Sequence, residues 1–214
     1  MIHMAERALV IEAARRTVGL GLTHGTSGNV SCRISGGMLI TPTGMPYDIL
    51  EPADVVVIGL DGVALAGERR RPSSEWRMHA GLYRARPDVG AVVHGHSPAA
   101  TVVACLGRGL PAFHYMIAVA GGDSVRCAGY ALFGTEALAD LAVAAMSDRW
   151  ACLLAHHGLL AAGPTLDRAV AVAAEVEFLA GVYLQLLPLG EPARLDPDQM
   201  GAVIDRFRSY GQRS

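Results

Sequence analysis

The sequence predicts an α/β sandwich built around a mixed β-sheet. Its 214 residues, 51% of them hydrophobic, suffice for one compact core, so we expect a single domain over 1–214. Segments with apolar residues at helical spacing alternate with short segments that have the period of a strand. Several of the strand-like segments are joined by turns of two or three residues, which only antiparallel neighbours can use.

The first 84 residues predict a helix, two hairpins and a second helix. Apolar positions at helical spacing, separated by Glu and Arg, indicate an amphipathic helix from Ala5 to about Leu20. A Ser-Gly-Gly turn and an Asp-Gly turn each lie between strand-like segments. Ser73 or Ser74 is expected to cap a helix that runs to about Arg84, with Glu75 in its first turn. The expected strands are Asn29–Ile34, Met38–Thr41, Val55–Leu60 and Val63–Leu65.

The remaining residues predict further strands between helices. Periodicity does not decide whether Ala112–Val119 forms a strand or a helix. The expected strands are Gly90–His94, Ala151–Ala155 and Leu159–Ala161. The expected helices are Pro98 to Leu106, Thr135–Met146, Leu166–Leu187 and Asp196–Tyr210.

Composition excludes several classes of partner. The net charge is −2, so no overall field attracts nucleic acid or an anionic membrane. No run of about 18 uninterrupted apolar residues is present, so no membrane span is expected, and the N-terminal segment lacks the pattern of a secretory signal. The four cysteines are far apart and show no CxxC spacing, which is typical of reduced thiols in a cytoplasmic protein.

All 18 basic residues that the Lys+Arg count includes are arginine. A chain without lysine cannot form a Schiff base with a carbonyl substrate, nor hold pyridoxal phosphate through one. Any carbanion chemistry in this protein therefore needs a metal ion or another electron sink.

The His-Gly-His motif at 94–96 ends an apolar strand. Residues i and i+2 of a strand face the same side, roughly 6.5–7 Å apart, so His94 and His96 can converge on one ion. Two hydrogen-bonded histidines at a strand end are the structural alternative, and for an isolated motif the two interpretations are about equal.

A second strand end repeats this construction, with His156 and His157 followed by Gly158. The pair supplies a third ligand and favours a metal site, although spacing alone leaves open which of the two histidines ligates. Glu75 is the candidate partner carboxylate, as a ligand or as a base. An acidic residue in the first turn of a helix is also favoured by the helix dipole, so Glu75 alone would carry little weight.

Three turns rich in Gly, Ser and Thr suggest an anion site in the first 75 residues. Such turns are usually only turns, so each is a weak signal by itself. Together they predict a cradle for a phosphate that uses no lysine. The segments are Gly-Thr-Ser-Gly-Asn at 25–29, Thr-Pro-Thr-Gly at 41–44 and the serine pair at 73–74.

These motifs stand in one order along nearly the whole chain, together with others. The additional ones are Pro-Ser-Ser-Glu-Trp at 72–76, His-Tyr-Met at 114–116, Phe-Gly-Thr at 133–135 and Phe-Arg-Ser-Tyr-Gly at 207–211. In this arrangement the chain resembles the class II aldolase family, and most closely its L-fuculose-1-phosphate aldolases. The resemblance implies a three-layer sandwich, in which a mixed, mostly antiparallel sheet lies between helix layers. It also implies a homotetramer with active sites at the subunit interfaces.

The resemblance further implies roles for individual residues. One Zn²⁺ per subunit would be held by His94, His96, His157 and Glu75, which selects His157 over its neighbour. Glu75 would be the catalytic carboxylate, Tyr115 would enter the neighbouring subunit's site, and Tyr210 would lie near a mobile tail. The implied phosphate-binding residues are Thr26, Gly28, Asn29, Thr43, Gly44, Ser73 and Ser74.

The activity implied is zinc-dependent cleavage of a ketose 1-phosphate, with L-fuculose 1-phosphate giving dihydroxyacetone phosphate and L-lactaldehyde. Glu75 would protonate the enediolate of dihydroxyacetone phosphate in cleavage and remove that proton in synthesis. A 4-epimerase, a decarboxylase and a dehydratase are the alternatives within the family, although the epimerase characteristically has Asp where this chain has Glu75. A metal-free binding module like the adducin head is the alternative from another class, which the presence of all three histidines disfavours. Gly95 stands where the family often has a polar residue, and Ser27 and Asp123 replace similar small residues. These departures are expected to widen the aldehyde end of the pocket.

Overall fold

A seven-stranded sheet forms the centre of the computed structural model, which describes residues 2–207. The strands are β1 Asn29–Ile34, β2 Gly37–Ile40, β3 Val56–Gly59, β4 Ala91–Gly95, β5 Arg126–Ala128, β6 Ala151–Leu154 and β7 Gly158–Gly163. Their order is β3-β2-β1-β4-β7-β6-β5. Only β5 and β6 pair in parallel among these neighbours, which confirms a mixed and mostly antiparallel sheet.

Six α-helices surround the sheet within residues 2–207. They are α1 Met4–Gly19, α2 Trp76–Ala85, α3 Pro98–Cys105, α4 Glu136–Ala145, α5 Leu166–Leu186 and α6 Pro197–Phe207. Short 3₁₀ helices cover Tyr47–Ile49, Pro52–Asp54, Tyr115–Ala120 and Leu187–Leu189. The predicted helices are all present, with described ends that differ by a few residues. The predicted end of the last helix, at Tyr210, lies outside the described residues.

The helices form layers on both faces of the sheet, as expected for a three-layer sandwich. Val92 and Val93 show why, since adjacent side chains of β4 point to opposite faces and each is buried in a different apolar cluster. The Val92 cluster is completed by α2 and α4, and the Val93 cluster by α1, α3, α5 and α6. Both faces of the central strands are therefore buried.

The long helix α5 is part of this core. By length and composition the segment Leu166–Leu189 could cross a membrane. Instead, one face of the helix is buried in the cluster that covers one side of the sheet, through eight side chains between Ala169 and Tyr183. Its apolar character thus reflects packing against the sheet, with Phe178 among the residues left on the outside.

Two local expectations were wrong, and one strand was not predicted. The segment Val63–Leu65 forms only an isolated bridge, between Ile58 and Ala64, across a turn in which the Asp61 side chain accepts a hydrogen bond from the Val63 amide. Neither Ser73 nor Ser74 is the N-cap of α2, since Glu75 occupies that position. The three-residue strand β5 was not predicted, because it is too short to show a period.

Candidate metal centre

The end of β4 brings two histidine rings together. His94 and His96 lie on the same side of the strand end, and their Nε2 atoms are 3.1 Å apart. His94 is buried, whereas His96 is partly exposed to a cleft. The two-residue spacing therefore does what the sequence predicted and directs both imidazoles to one point.

The turn between β6 and β7 supplies the third ring. His156 has a left-handed backbone, with φ of 56°, and the next residue, His157, directs its side chain toward His94 and His96. A Cβ at Gly158 would lie 2.8 Å from Cδ2 of His96, so glycine at this position permits the close approach of the turn. Within residues 2–207, these three histidines are the one group whose ligand atoms all lie within 4.8 Å of one another.

A hydrogen bond behind the site fixes how His94 faces it. Nδ1 of His94 lies 2.9 Å from the carbonyl oxygen of Leu159, and a carbonyl only accepts, so Nδ1 carries the hydrogen. In the neutral ring Nε2 is then bare and points into the centre. This arrangement is typical of metal-binding histidines, whose second nitrogen is held by a backbone carbonyl or a carboxylate.

Glu75 lies against the same three rings. Its Oε2 is 3.1 Å from Nε2 of His94, and its Oε1 is 3.3 Å from Nε2 of His157. Although Glu75 is the N-cap residue of α2, its side chain makes no capping hydrogen bond and is buried at 6% exposure. The helix dipole alone therefore does not explain this carboxylate.

The arrangement needs a cation. Bare imidazole nitrogens and carboxylate oxygens are all acceptors, and Oε1 of Glu75 is buried without a hydrogen-bond donor among the described residues. A metal ion or a proton between them removes the repulsion. Three imidazoles beside a carboxylate form a donor set suited to a divalent transition metal such as Zn²⁺.

The pKa values of the four groups reflect this crowding. Burial lowers the pKa of His96 and of His157 to about 4, helped by the charge of His94. Burial also opposes charge on His94, but Glu75 more than compensates and raises the pKa of His94. For Glu75, burial favours the acid, yet His94, His157 and Asn29 together lower its pKa to about 2. At neutral pH the site thus offers two neutral imidazoles and an ionised carboxylate.

A cleft of about 390 Å³ opens beside these groups. His96, His157 and Glu75 form one side of it. Every residue expected to bind phosphate also lines it, namely Thr26, Gly28, Asn29, Thr43, Gly44, Ser73 and Ser74. An adjoining cavity, which shares Thr43, Ser73 and Ser74, is also lined by Arg71 and Arg77. The structure therefore places hydroxyl-rich turns and the metal candidate around one space.

Of the two predicted tyrosines, the one that the structure describes does not line this cleft. Tyr115 is 52% exposed and lines a separate groove with Met116 and residues of α6. Tyr210 lies outside the described residues. Three other residues of the cleft, Tyr130, Ala131 and Phe133, were not predicted as site residues. Ser27 and Pro42, which also line it, belong to the predicted turns, and His156 is the histidine that spacing had left open as a ligand. Tyr130 and Phe133 follow β5, the strand that the sequence did not reveal.

Gly95 does not widen the pocket, contrary to expectation. A Cβ at this position would lie 2.2 Å from the carbonyl oxygen of Leu22, on the side of the sheet away from the cleft. The glycine instead allows the segment around Leu22 to pack directly on β4.

Comparisons with known proteins agree on the family. Residues 8–184 match the model of the class II aldolase and adducin N-terminal domain. A 5-methylthioribulose-1-phosphate/5-deoxyribulose-1-phosphate aldolase of Rhodospirillum rubrum is 50% identical over 212 residues, covering 99% of this chain and 95% of that protein. The L-fuculose phosphate aldolase of Escherichia coli K12 is 46% identical over 205 residues, covering 95% of this chain and 94% of that protein.

Solved structures give the same result. A structure of an L-fuculose 1-phosphate aldolase superposes with a TM-score of 0.90 at 42% identity, covering 94% of this chain and 95% of that one. The fold and the sequence similarity thus point to the same family. The chain belongs to the family of the class II aldolase and adducin N-terminal domain, and it is an aldolase of that family.

Proposed function

We propose that this chain is a metal-dependent aldolase that reversibly cleaves a ketose 1-phosphate into dihydroxyacetone phosphate and an aldehyde. The observation that carries the proposal is the position of Glu75, between two imidazoles of a histidine triad and beside a hydroxyl-lined cleft. A triad alone would suit a structural metal, but an ionised carboxylate next to an open cleft suits proton transfer to a bound substrate.

We propose Zn²⁺ as the cofactor, one ion per subunit, with His94, His96 and His157 as ligands and Glu75 as the exchangeable fourth. When bound, the ion supplies the electron sink that a lysine Schiff base provides in other aldolases, and this chain has no lysine. The hydrogen bond from His94 to Leu159 keeps the ligand nitrogen directed at the ion.

The chain's own residues divide the chemistry between them. In cleavage the aldol hydroxyl gives its proton to the ionised Glu75 carboxylate, the C3–C4 bond breaks, and the departing aldehyde leaves behind an enediolate of dihydroxyacetone phosphate. Glu75 delivers a proton to the carbon of that enediolate, and in synthesis the carboxylate removes it. Asn29 donates a hydrogen bond to Oε2 of Glu75 and holds the carboxylate at the cleft wall.

The phosphate is proposed to bind at the hydroxyl-rich end of the cleft. Thr26, Thr43, Ser73 and Ser74 offer hydroxyl donors there. The N-terminus of α2 begins at the same place, and its dipole favours an anion. Gly28, Asn29 and Gly44 complete the proposed cradle, in which backbone and hydroxyl groups replace lysine.

Tyr115 supports a proposal on assembly. It is exposed and away from its own chain's cleft, so it can act only by reaching the site of another copy. We propose a homotetramer with active sites at subunit interfaces, where Tyr115 handles charge on the aldehyde oxygen and Tyr210 is a further catalytic residue. The chain is proposed to act as a single domain in the cytoplasm, where its four free cysteines remain reduced.

The relatives' names suggest the class of sugar. L-fuculose, 5-deoxyribulose and 5-methylthioribulose phosphates all end in a methyl or methylthio group. Tyr130, Ala131 and Phe133 give this cleft an apolar side that suits such an end. L-fuculose 1-phosphate, which yields L-lactaldehyde, is the proposed substrate. The 1-phosphates of 5-deoxyribulose and 5-methylthioribulose are the alternative substrates.

The test is release of dihydroxyacetone phosphate from these three sugars, with and without a chelator. Chelator-sensitive release supports the proposal, and the ratio of kcat/KM values identifies the sugar. If the metal-loaded enzyme releases no triose phosphate from any of them, the proposal is wrong. Conversion of a pentulose 5-phosphate to its 4-epimer, or release of carbon dioxide or water from a sugar acid, would then identify the alternative activity.

A further inference from the structure

Helix α2 and strand β1 are joined by a row of buried polar side chains. Glu75, His79 and Tyr83 are four residues apart and so lie on one face of the helix. Asn29 and Ser31 are two residues apart and lie on one face of the strand. All five are buried, and His79 and Ser31 are fully inaccessible.

Hydrogen bonds connect these residues in one chain. Nδ2 of Asn29 lies 3.0 Å from Oε2 of Glu75, and Oδ1 of Asn29 lies 2.6 Å from Nε2 of His79. Nδ1 of His79 lies 2.6 Å from Oγ of Ser31, which in turn lies 2.7 Å from the Tyr83 hydroxyl. The row thus runs from the candidate active site into the core beneath α2.

The chemistry of the groups determines which one donates and which one accepts in each of these hydrogen bonds. The Glu75 carboxylate only accepts, so Asn29 presents its NH₂ group to it and its oxygen to His79. Nε2 of His79 must then donate to that oxygen. Burial lowers the pKa of His79 to about 3, so the ring is neutral and its Nδ1 accepts from Ser31. The Ser31 oxygen is left to accept from the hydroxyl of Tyr83.

We propose that His79 is a positioning residue: its Nε2–H tautomer holds the Asn29 amide in the orientation that presents an N–H to Glu75. A flipped amide would face Oε2 of Glu75 with oxygen and Nε2–H of His79 with NH₂, so both contacts would be repulsive. Ser31 and Tyr83 hold the tautomer by donating toward Nδ1. The inference rests on the proposed function, in which Glu75 transfers the proton.

The buried imidazole of His79 thereby influences the orientation of the Glu75 carboxylate, although the two groups are not in contact. Without its hydrogen bond from His79, the Asn29 amide can rotate, and Glu75 loses a fixed donor on the protein side of the cleft. Glu75 would then spend less time in the orientation needed for proton transfer. The effect should fall on kcat more than on metal binding, because the histidine triad is left intact.

The kinetic test compares His79→Phe, which removes the donor and keeps a ring, with His79→Gln, whose amide N–H replaces Nε2–H. In the metal-loaded enzyme we expect His79→Phe to lower kcat about 10-fold or more, the effect typical of lost outer hydrogen bonds at metal sites. We expect His79→Gln to restore kcat to within about 3-fold of wild type. Met78→Leu, at a buried neighbour outside the row, is the control and should leave kcat unchanged.

A spectroscopic test needs neither substrate nor metal. In ¹⁵N-labelled wild-type protein, ¹⁵N NMR should show His79 with hydrogen on Nε2 and a bare Nδ1, unchanged from about pH 8 to about pH 5.

Hydrogen on Nδ1 would overturn the proposal. A folded His79→Phe variant with wild-type kcat would also overturn it, as would a folded His79→Gln variant as impaired as His79→Phe. If His79→Phe does not fold, the proposal is tested by the His79 tautomer seen in the NMR spectrum and by the kcat of His79→Gln. Wild-type protein without aldolase activity would overturn the proposed function, while the NMR result would still decide the orientation of Asn29.

Discussion

The amide of Asn29 donates to Oε2 of Glu75 across 3.0 Å, linking the first residue of a central strand to the N-cap residue of a helix. An N-cap side chain usually bonds to the first amides of its own helix. Glu75 instead directs both carboxylate oxygens toward His94 and His157. Its position at the helix terminus therefore serves the site more than the helix.

Replacing this carboxylate tests its proposed role. Glu75→Gln keeps the size of the side chain but removes the base, so we expect the rate of aldol cleavage to fall about 10²–10⁴-fold. The circular dichroism spectrum and the bound metal should change little, because three imidazoles remain. Glu12→Gln, on the exposed side of α1, is the matched control. Near-normal turnover in Glu75→Gln would exclude Glu75 as the proton carrier.

The adjacent histidines His156 and His157 allow a paired test of ligation. Asn tolerates the left-handed backbone of position 156, so His156→Asn should retain the metal content of wild type. His157→Asn removes one ring of the triad and should lower metal affinity at least about 10-fold. Metal analysis of both purified variants checks this. Equal metal content in the two would mean that His157 is not a ligand.

Gly95 should be sensitive to a single added methyl group. A Cβ there would overlap the carbonyl of Leu22, so Gly95→Ala should destabilise the fold by about 1–3 kcal/mol or more. Gly201→Ala is the control, since a Cβ at that helical position would meet no atom within 4 Å beyond the adjoining backbone of its own helix. It should be neutral or stabilising by up to about 1 kcal/mol. Urea unfolding of both variants measures the difference, and equal stability would contradict the packing described.

The buried imidazole of His79 should make stability depend on pH. Burial lowers its folded pKa to about 3. The ordinary pKa of histidine is about 6.5, so below that pH the unfolded chain binds a proton that the folded chain does not. Stability should therefore fall with falling pH, by up to about 1.4 kcal/mol per pH unit.

The control for this pH dependence is His79→Gln, which cannot titrate. In metal-free protein between about pH 6.5 and pH 5, its free energy of unfolding should fall less steeply than that of wild type. His96 and His157 add the same slope to both proteins, so the difference isolates His79. Parallel curves would mean that His79 is not held neutral.

Much of the metal centre could be predicted from sequence because its geometry is local. His94 and His96 are joined by the period of a strand, and Gly158, after the second pair of histidines, leaves room for the His96 ring. The choice between His156 and His157 depended on family resemblance, since only the left-handed backbone at 156 shows which ring faces inward. Periodicity carries no information on that torsion.

Other parts of the site depend on contacts between distant segments. Tyr130 and Phe133 enter the cleft after β5, which is defined by pairing with β6 and leaves no periodic signal of its own. His79 and Ser31 appear in sequence as ordinary core positions. Their spacing of four residues from Glu75 and two from Asn29 was a usable signal, but only once α2 was known to pack over β1.

Metal reconstitution tests the central claim most directly. The chelated enzyme is titrated with Zn²⁺ while dihydroxyacetone phosphate release from the best of the three sugar phosphates is recorded. The account predicts that activity rises in proportion to bound zinc and reaches its maximum at one ion per chain, with no recovery in His94→Ala. Full activity in the metal-free enzyme, or full recovery in His94→Ala, would contradict it.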